Sequence, residues 1–232
     1  MIAIKRLATD VIGLLFPELC NACGTHLYYG EKEICIKCLH DLPYTDYHLY
    51  ADNPVAKQLW GRLPNTQAMA MLYFRKGTKV QNLMHSLKYK GKTDVGERFG
   101  KLMGEKLKLS DHYQDIDLII PVPLHLSKQR LRGYNQSEAI ADGLAETLDI
   151  PVSTMHLWRG KSTDSQTKKS RYTRFENMQE VFTVKHKEEL ENLHILLVDD
   201  VITTGATLEA CGNALLNAGI KKLSIAAAAF AE

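Results

Sequence analysis

Two adjacent carboxylates followed by small and hydroxyl residues give the chain its most reactive-looking stretch, Ile195-Leu-Leu-Val-Asp-Asp-Val-Ile-Thr-Thr-Gly-Ala-Thr207. The aliphatic run from His194 to Val198 predicts a buried parallel strand, and the pattern from Thr207 to Ala218 predicts a helix. Ligands of open parallel sheets bind beyond the carboxyl ends of the strands, which is where Asp199 and Asp200 fall. Thr203, Thr204, Gly205, Ala206 and Thr207 then bring consecutive N–H groups and three hydroxyls to a helix N-terminus. Unsatisfied donors and the helix dipole make such a terminus an anion site. Gly205 permits close approach of the backbone to the ligand.

Two carboxylates facing a phosphate would repel it. They make sense as acceptors for neutral hydroxyls, so a ribose 5-phosphate fits both halves, with phosphate in the loop and vicinal hydroxyls on the acids. The alternative is an Asp pair capping a helix above a Thr-rich turn. That accounts for one Asp and two Thr but not for the whole array. Neither a Gly-x4-Gly-Lys loop nor a Gly-x-Gly-x-x-Gly dinucleotide fingerprint is present in the stretch.

A second chemical cluster is Cys20, Cys23, Cys35 and Cys38, two Cys-x2-Cys pairs with eleven residues between them. Each pair can present two thiolates, and together they complete a closed tetrahedral four-sulfur site for structural zinc. A segment this small has little core of its own, so the metal supplies folding energy. Gly24 suits the tight turn after Cys23, whereas Leu39 occupies the matching place after Cys38. Redox or iron–sulfur roles are the alternatives, and His26 and His40 read as surface neighbours. Cys211 falls in a helical pattern and reads as a small core residue, with a reactive thiol as the other reading.

Structural disulfides would need an exported chain. Lys5 and Arg6 before Leu7 to Phe16 loosely mimic a signal peptide, but Asp10 interrupts it and no small-residue cleavage site precedes Cys20. Ile4, Leu7, Val11, Leu14 and Leu15 follow helical spacing, which predicts an amphipathic helix packed on the body and a cytoplasmic protein. The 232 residues are 45% hydrophobic and 24% charged, the composition of a globular chain. A net charge of +2 does not by itself call for nucleic acid. No apolar run approaches the ~20 residues of a membrane span, so no membrane insertion is expected.

The elements that must position these residues alternate between strand and helix. Strands are predicted at Thr66 to Phe74, Asp117 to Pro123, Ile150 to Met155, Val181 to Val184, His194 to Val198 and Leu223 to Phe230. Helices are predicted at Val80 to Lys90, Val95 to Leu109, Ser137 to Leu148 and Thr207 to Ala218. Residues 44–65, with two prolines, read as an irregular linker. The order predicts an α/β domain with a mainly parallel sheet flanked by helices. Two units are expected: an N-terminal helix and four-cysteine zinc segment over 1–48, and the α/β domain over 49–232. Residues 158–178 form a polar loop holding six Lys/Arg against two Asp/Glu. Loops of that length are uncommon and often functional.

The span 195–207 closely resembles the 5-phosphoribosyl-1-pyrophosphate (PRPP) motif of type I phosphoribosyltransferases. The resemblance extends over nearly the whole chain to the ComF family of competence-associated proteins. It is carried by the Cys-x2-Cys pairs, Phe74-Arg75-Lys76-Gly77, Leu87-Lys88-Tyr89-Lys90-Gly91, Pro121-Val122-Pro123-Leu124, Arg132-Gly133-Tyr134-Asn135-Gln136 and Gln166 through Asn177.

The resemblance implies that Asp199 and Asp200 hold the ribose hydroxyls and Thr203 to Thr207 the 5-phosphate. Mg2+ would bridge pyrophosphate and ribose oxygens, mostly through water. Pro121 to Asn135 corresponds to a pyrophosphate loop, with Arg132 for a bidentate contact and Gly133 for loop geometry. The basic loop corresponds to a flap whose Lys168, Lys169, Arg171 and Arg174 would serve catalysis by meeting the leaving pyrophosphate, with Gln166 and Asn177 as polar positioners. The implied reaction is transfer of phosphoribosyl to a nitrogen acceptor.

A rival reading is a non-catalytic PRPP sensor or single-stranded-DNA-handling module, acting with competence helicase or membrane-channel partners. In that case the basic loop, Tyr89, Tyr134 and Tyr172 would track DNA by charge and stacking. A solvated charge run is the plainest reading of the loop. The acceptor and the oligomeric state are not spelled by any motif.

Overall fold

The computed structural model describes residues 17–160 and 182–231. The expected N-terminal helix and the candidates Gln166, Lys168, Lys169, Arg171, Tyr172, Arg174 and Asn177 lie outside the described residues. The strands are β1 (Gln67–Phe74), β2 (Leu118–Pro121), β3 (Leu157–Arg159), β4 (Phe182–Val184), β5 (His194–Ile202) and β6 (Lys222–Ala231). The α-helices are α1 (Ile36–Asp41), α2 (Pro54–Leu59), α3 (Lys79–Tyr89), α4 (Thr93–Lys108), α5 (Leu126–Arg132), α6 (Gln136–Leu148) and α7 (Ala206–Leu216).

Four strands form one parallel sheet in the order β1-β6-β5-β2. Ile195 to Val198 in β5 and Ala226 to Ala229 in β6 are fully buried, as expected for strands covered on both faces. β3 and β4 pair separately and antiparallel, flanking the basic loop.

The expected strand over Ile150–Met155 contracts to one parallel bridge between Val152 and Ile119. The Ile119 amide donates to the Pro151 carbonyl and the Ser153 amide to the Ile119 carbonyl. Pro151 has no amide to donate, which suits an edge position.

Residues 44–65 are more ordered than a linker. They contain a 3-10 turn at Tyr47–Leu49 and α2, which Asn53 caps through the amides of Val55 and Ala56. The Asn53 side-chain amide also donates to the carbonyls of Tyr50 and Ala68, fastening this segment to β1.

α4 and α6 meet at backbone contact. A Cβ on Gly100 would lie 2.1 Å from the Ile140 carbonyl oxygen, and one on Gly143 equally close to that of Glu97 at 2.1 Å. Only glycine allows this approach. It sets the lateral position of α6, whose first turn reaches the carboxyl end of β5.

Candidate functional site

β5 continues past Val198 to Ile202, so Asp199 and Asp200 belong to the last pleats of the strand rather than to the loop. Successive side chains on a strand point to opposite sides, and the two acids accordingly find different partners. Ser137, in the first turn of α6, donates its hydroxyl to Asp199 Oδ1 at 3.0 Å. The Asp200 amide donates to the same oxygen at 2.8 Å. Asp200 itself takes Lys88 of α3, whose Nζ lies 2.9 Å from Oδ2 and 3.0 Å from Oδ1.

Burial, reinforced by the neighbouring Asp200 charge, pushes the Asp199 carboxyl up to about 7. Near neutral pH the pair therefore carries less negative charge than two free aspartates. Lys88 neutralises one, and the other is held close to its midpoint.

Thr203, Thr204 and Gly205 turn the chain from β5 into α7. Gly205 occupies the N-cap with φ +72° and provides no side chain to cap the helix, while the Ala206 amide reaches the Thr204 hydroxyl at 3.5 Å. A Cβ here would be strained by that φ and would sit 3.1 Å from Leu59 Cδ2. Asp199, Thr203, Thr204, Gly205, Ala206 and Thr207 line one small recess of about 40 Å³.

The loop is braced from outside. Gln58 Nε2 donates to the Thr203 carbonyl at 2.7 Å, and Arg62 donates to the Thr204 carbonyl at 3.0 Å. Arg62 also lies 3.5 Å from the buried carboxylate of Glu209 in α7. These two bonds fasten the Thr203 and Thr204 carbonyls to α2 and the turn after it. A larger groove of about 820 Å³ runs along α7 past Arg62, Thr183 and Asn213, sharing Thr204 and Ala206 with the loop but reaching neither aspartate.

The loop after β2 stands next to this one, because β2 and β5 are neighbours with parallel register. Beyond Pro123 it forms the short helix α5, in which no residue is buried. Gly133 ends α5 with φ +82°, the left-handed stop a glycine takes without strain. Arg132 bonds Gln136 and lies 5.3 Å over the Tyr89 ring. Tyr134 donates its hydroxyl to the Leu87 carbonyl, and Asn135 donates to the Val122 carbonyl at 3.0 Å. The two expected ligand loops are thus brought to adjacent strand ends, with the end of α3 between them.

All four cysteine sulfurs lie within 4.8 Å of one another. The Cys23 and Cys35 sulfurs are 3.9 Å apart. Tetrahedral zinc with bonds of about 2.3 Å needs sulfur separations of roughly 3.8 Å, so the donor set fits. The Cys35 and Cys38 amides donate to the sulfurs of Cys20 and Cys35, at 3.3 Å and 3.4 Å. Hydrogen bonds from Thr25 draw the Cys23 thiol down to about 6, whereas burial pushes the Cys35 and Cys38 thiols up. The segment is tied to α3 through Asn82, which donates to the Ala22 carbonyl at 2.8 Å, and through Lys79 and Asp41 at 3.2 Å. Cys211 is fully buried in α7, as expected of a core residue.

A phosphoribosyl transferase domain model matches residues 135–232, from the first turn of α6 through the acids and the loop. Competence protein F of Haemophilus influenzae is 28% identical over 211 residues, covering 90% of this chain and 83% of its own length. The chain is similar to ComF proteins over nearly its whole length. It is also 25% identical to the DNA utilization protein YhgH of Escherichia coli K12, over 91% of this chain and 96% of that one. Its backbone overlays on purine phosphoribosyltransferase from Pyrococcus horikoshii with a TM-score of 0.38 at 22% identity, covering 58% of this chain and 80% of that one. The expected α/β class, a parallel sheet flanked by helices with an N-terminal four-cysteine cluster, is what the chain adopts. Among the described residues no helix is long and apolar enough to cross a membrane.

Gln58, Arg62, Lys88, Ser137 and Glu209 complete the site and have no role in the sequence reading. Lys88 was visible within Leu87-Lys88-Tyr89-Lys90-Gly91 as a family motif. For Gln58 and Arg62 no local signal exists, since they come from a segment whose prolines suggest a linker.

Proposed function

We propose that this ComF-like chain binds PRPP with Mg2+ at the carboxyl end of its sheet and belongs to the cytoplasmic side of competence-linked DNA uptake or utilisation. The observation that carries this reading is the Asp199–Asp200 pair ending β5 directly above an uncapped, externally braced helix N-terminus. The 5-phosphate takes the amides and hydroxyls of Thr203 to Thr207. The ribose 2- and 3-hydroxyls bond the aspartates, and the pyrophosphate faces Arg132 and Gly133. Both acids already have protein partners, so Mg2+ arrives as part of the ligand, held by phosphate oxygens and water. The cysteine cluster holds structural Zn2+ in the segment 1–48, and 49–232 is the ligand-binding domain.

Transfer to a nitrogen acceptor is the activity this site can support. It works by fixing the ribose and by placing positive charge where the leaving pyrophosphate develops its own. Lys168, Lys169, Arg171 and Arg174 are the proposed source of that charge. Calorimetric titration of PRPP·Mg2+ tests the reading: wild type is expected to bind and Asp199→Asn/Asp200→Asn to lose binding while remaining folded. Absence of binding to wild type at saturating Mg2+ sinks it.

A second reading, handling of single-stranded DNA, is favoured by α5. That helix exposes Leu131 at 83% beside Lys128 and Arg130, and Tyr89 nearby is 64% exposed. Charge with a stacking ring suits a flexible polyanion. Salt-dependent binding of an oligonucleotide, lost in Lys128→Gln/Arg130→Gln with PRPP binding intact, supports it; unchanged binding in that variant overturns it.

A further inference from the structure

The Lys88–Asp200 pair has a consequence for which ligand the site selects. Lys88 is near the C-terminus of α3, 24% exposed, and both oxygens of Asp200 lie within 3.0 Å of its ammonium. Its two chain neighbours face the other ligand loop: the Leu87 carbonyl accepts from Tyr134, and the Tyr89 ring lies under Arg132. Lys88 thus holds Asp200 while the residues on either side of it hold Arg132 and Tyr134 of the neighbouring loop. A flexible four-carbon stem and three rotatable donors let a lysine exchange one anionic partner for another without moving its backbone.

A ribose engaging Asp200 through its hydroxyls competes for the oxygens that Lys88 now holds. An ammonium released beside a bound pyrophosphate gains a charge-assisted contact there that is stronger than the water it would otherwise meet. We infer that Lys88 is a transferable counterion, paired with Asp200 in the free protein and with the 1-pyrophosphate when PRPP is bound. Lys88 thereby makes the site selective for ribose carrying a pyrophosphate at carbon 1. Ribose 5-phosphate breaks the Lys88–Asp200 pair and supplies no replacement, whereas PRPP supplies one. The inference deepens the PRPP reading and rests on it.

The affinities of PRPP·Mg2+ and ribose 5-phosphate are compared on wild type, Lys88→Gln and Lys88→Arg. In Lys88→Gln the preference for PRPP over ribose 5-phosphate is expected to fall at least about tenfold, the scale of one charge-assisted contact. Lys88→Arg is expected to keep most of it. If Lys88 only neutralises Asp200, Lys88→Gln weakens both ligands equally and the preference stays; that result overturns the inference while leaving PRPP binding intact. If wild type binds no PRPP, the underlying reading falls with it.

A measurement without substitution gives the same decision should Lys88→Gln fail to fold. Acetylation of lysines by an amine-reactive ester, read at Lys88 by mass spectrometry, is expected to speed up with ribose 5-phosphate and slow down with PRPP·Mg2+. Equal rates with both ligands overturn the inference.

Discussion

The Ser137 hydroxyl donates to the Asp199 carboxylate across 3.0 Å, joining the first turn of α6 to the end of β5. Ser137 is placed there by the glycine-only contact of α4 with α6, so the acid's surroundings depend on packing well away from the ligand loop. That bond and the one from the Asp200 amide both fall on the same Asp199 oxygen. With Lys88 on Asp200, the acid pair carries less net negative charge than two free aspartates.

Asp199 should make stability fall as pH rises through neutrality. Its folded-state value is raised from 3.8 to about 7, so the folded protein binds a proton that the unfolded chain has released. The resulting contribution is complete below about pH 4 and is lost as pH rises through 7. Asp199→Asn still accepts from Ser137 but does not titrate. The urea midpoint of the variant is expected to gain on wild type between pH 5 and pH 8.5; a difference that does not change with pH would contradict the raised carboxyl.

Arg62 and Gln58 should matter for anion binding although neither lies on the loop. Removing either frees a carbonyl of Thr203 or Thr204 and lets the loop amides turn away. Arg62→Ala also leaves the buried Glu209 carboxylate without its cation, so it is expected to cost about 1–3 kcal/mol of stability, more than Gln58→Ala. Arg62→Ala/Glu209→Gln should recover part of that loss but not the ligand affinity. Chemical denaturation and phosphate titration on the three variants separate the two effects, and full recovery of affinity in the double variant would count against the bracing role.

Metal removal should be felt at the aspartates. α3 carries Asn82, bonded to the Ala22 carbonyl of the cysteine segment, and Lys88, bonded to Asp200. Stripping the metal releases the folding energy that orders the cysteine segment and loosens the start of α3. One zinc per chain by elemental analysis is expected, together with a lower melting temperature and weaker PRPP binding after chelation. Cys35→Ser should behave in the same way. Loss of zinc with unchanged melting and binding would uncouple the cluster from the ligand site.

The acids, the glycine-bearing loop and the cysteine spacing are local patterns, and each is legible along the chain because strand burial, turn conformation and ligand spacing are set by residues close in sequence. The same holds for the alternation that predicts a parallel sheet. What the acids touch is a different matter. Lys88 and Asp200 are 112 residues apart, Ser137 and Asp199 are 62 apart, and Gln58 is 145 from Thr203.

Periodicity tells which face of an element is buried, not which element covers it. The partners are decided by how closely α4 and α6 pack, and by where α2 and the end of α3 settle against the loop. Sequence by itself thus determined which groups stand at the strand end, two carboxylates followed by a glycine-bearing turn into a helix. Only the tertiary structure decided the charge state of those carboxylates, because that depends on burial and on a lysine brought in from the far side of the chain.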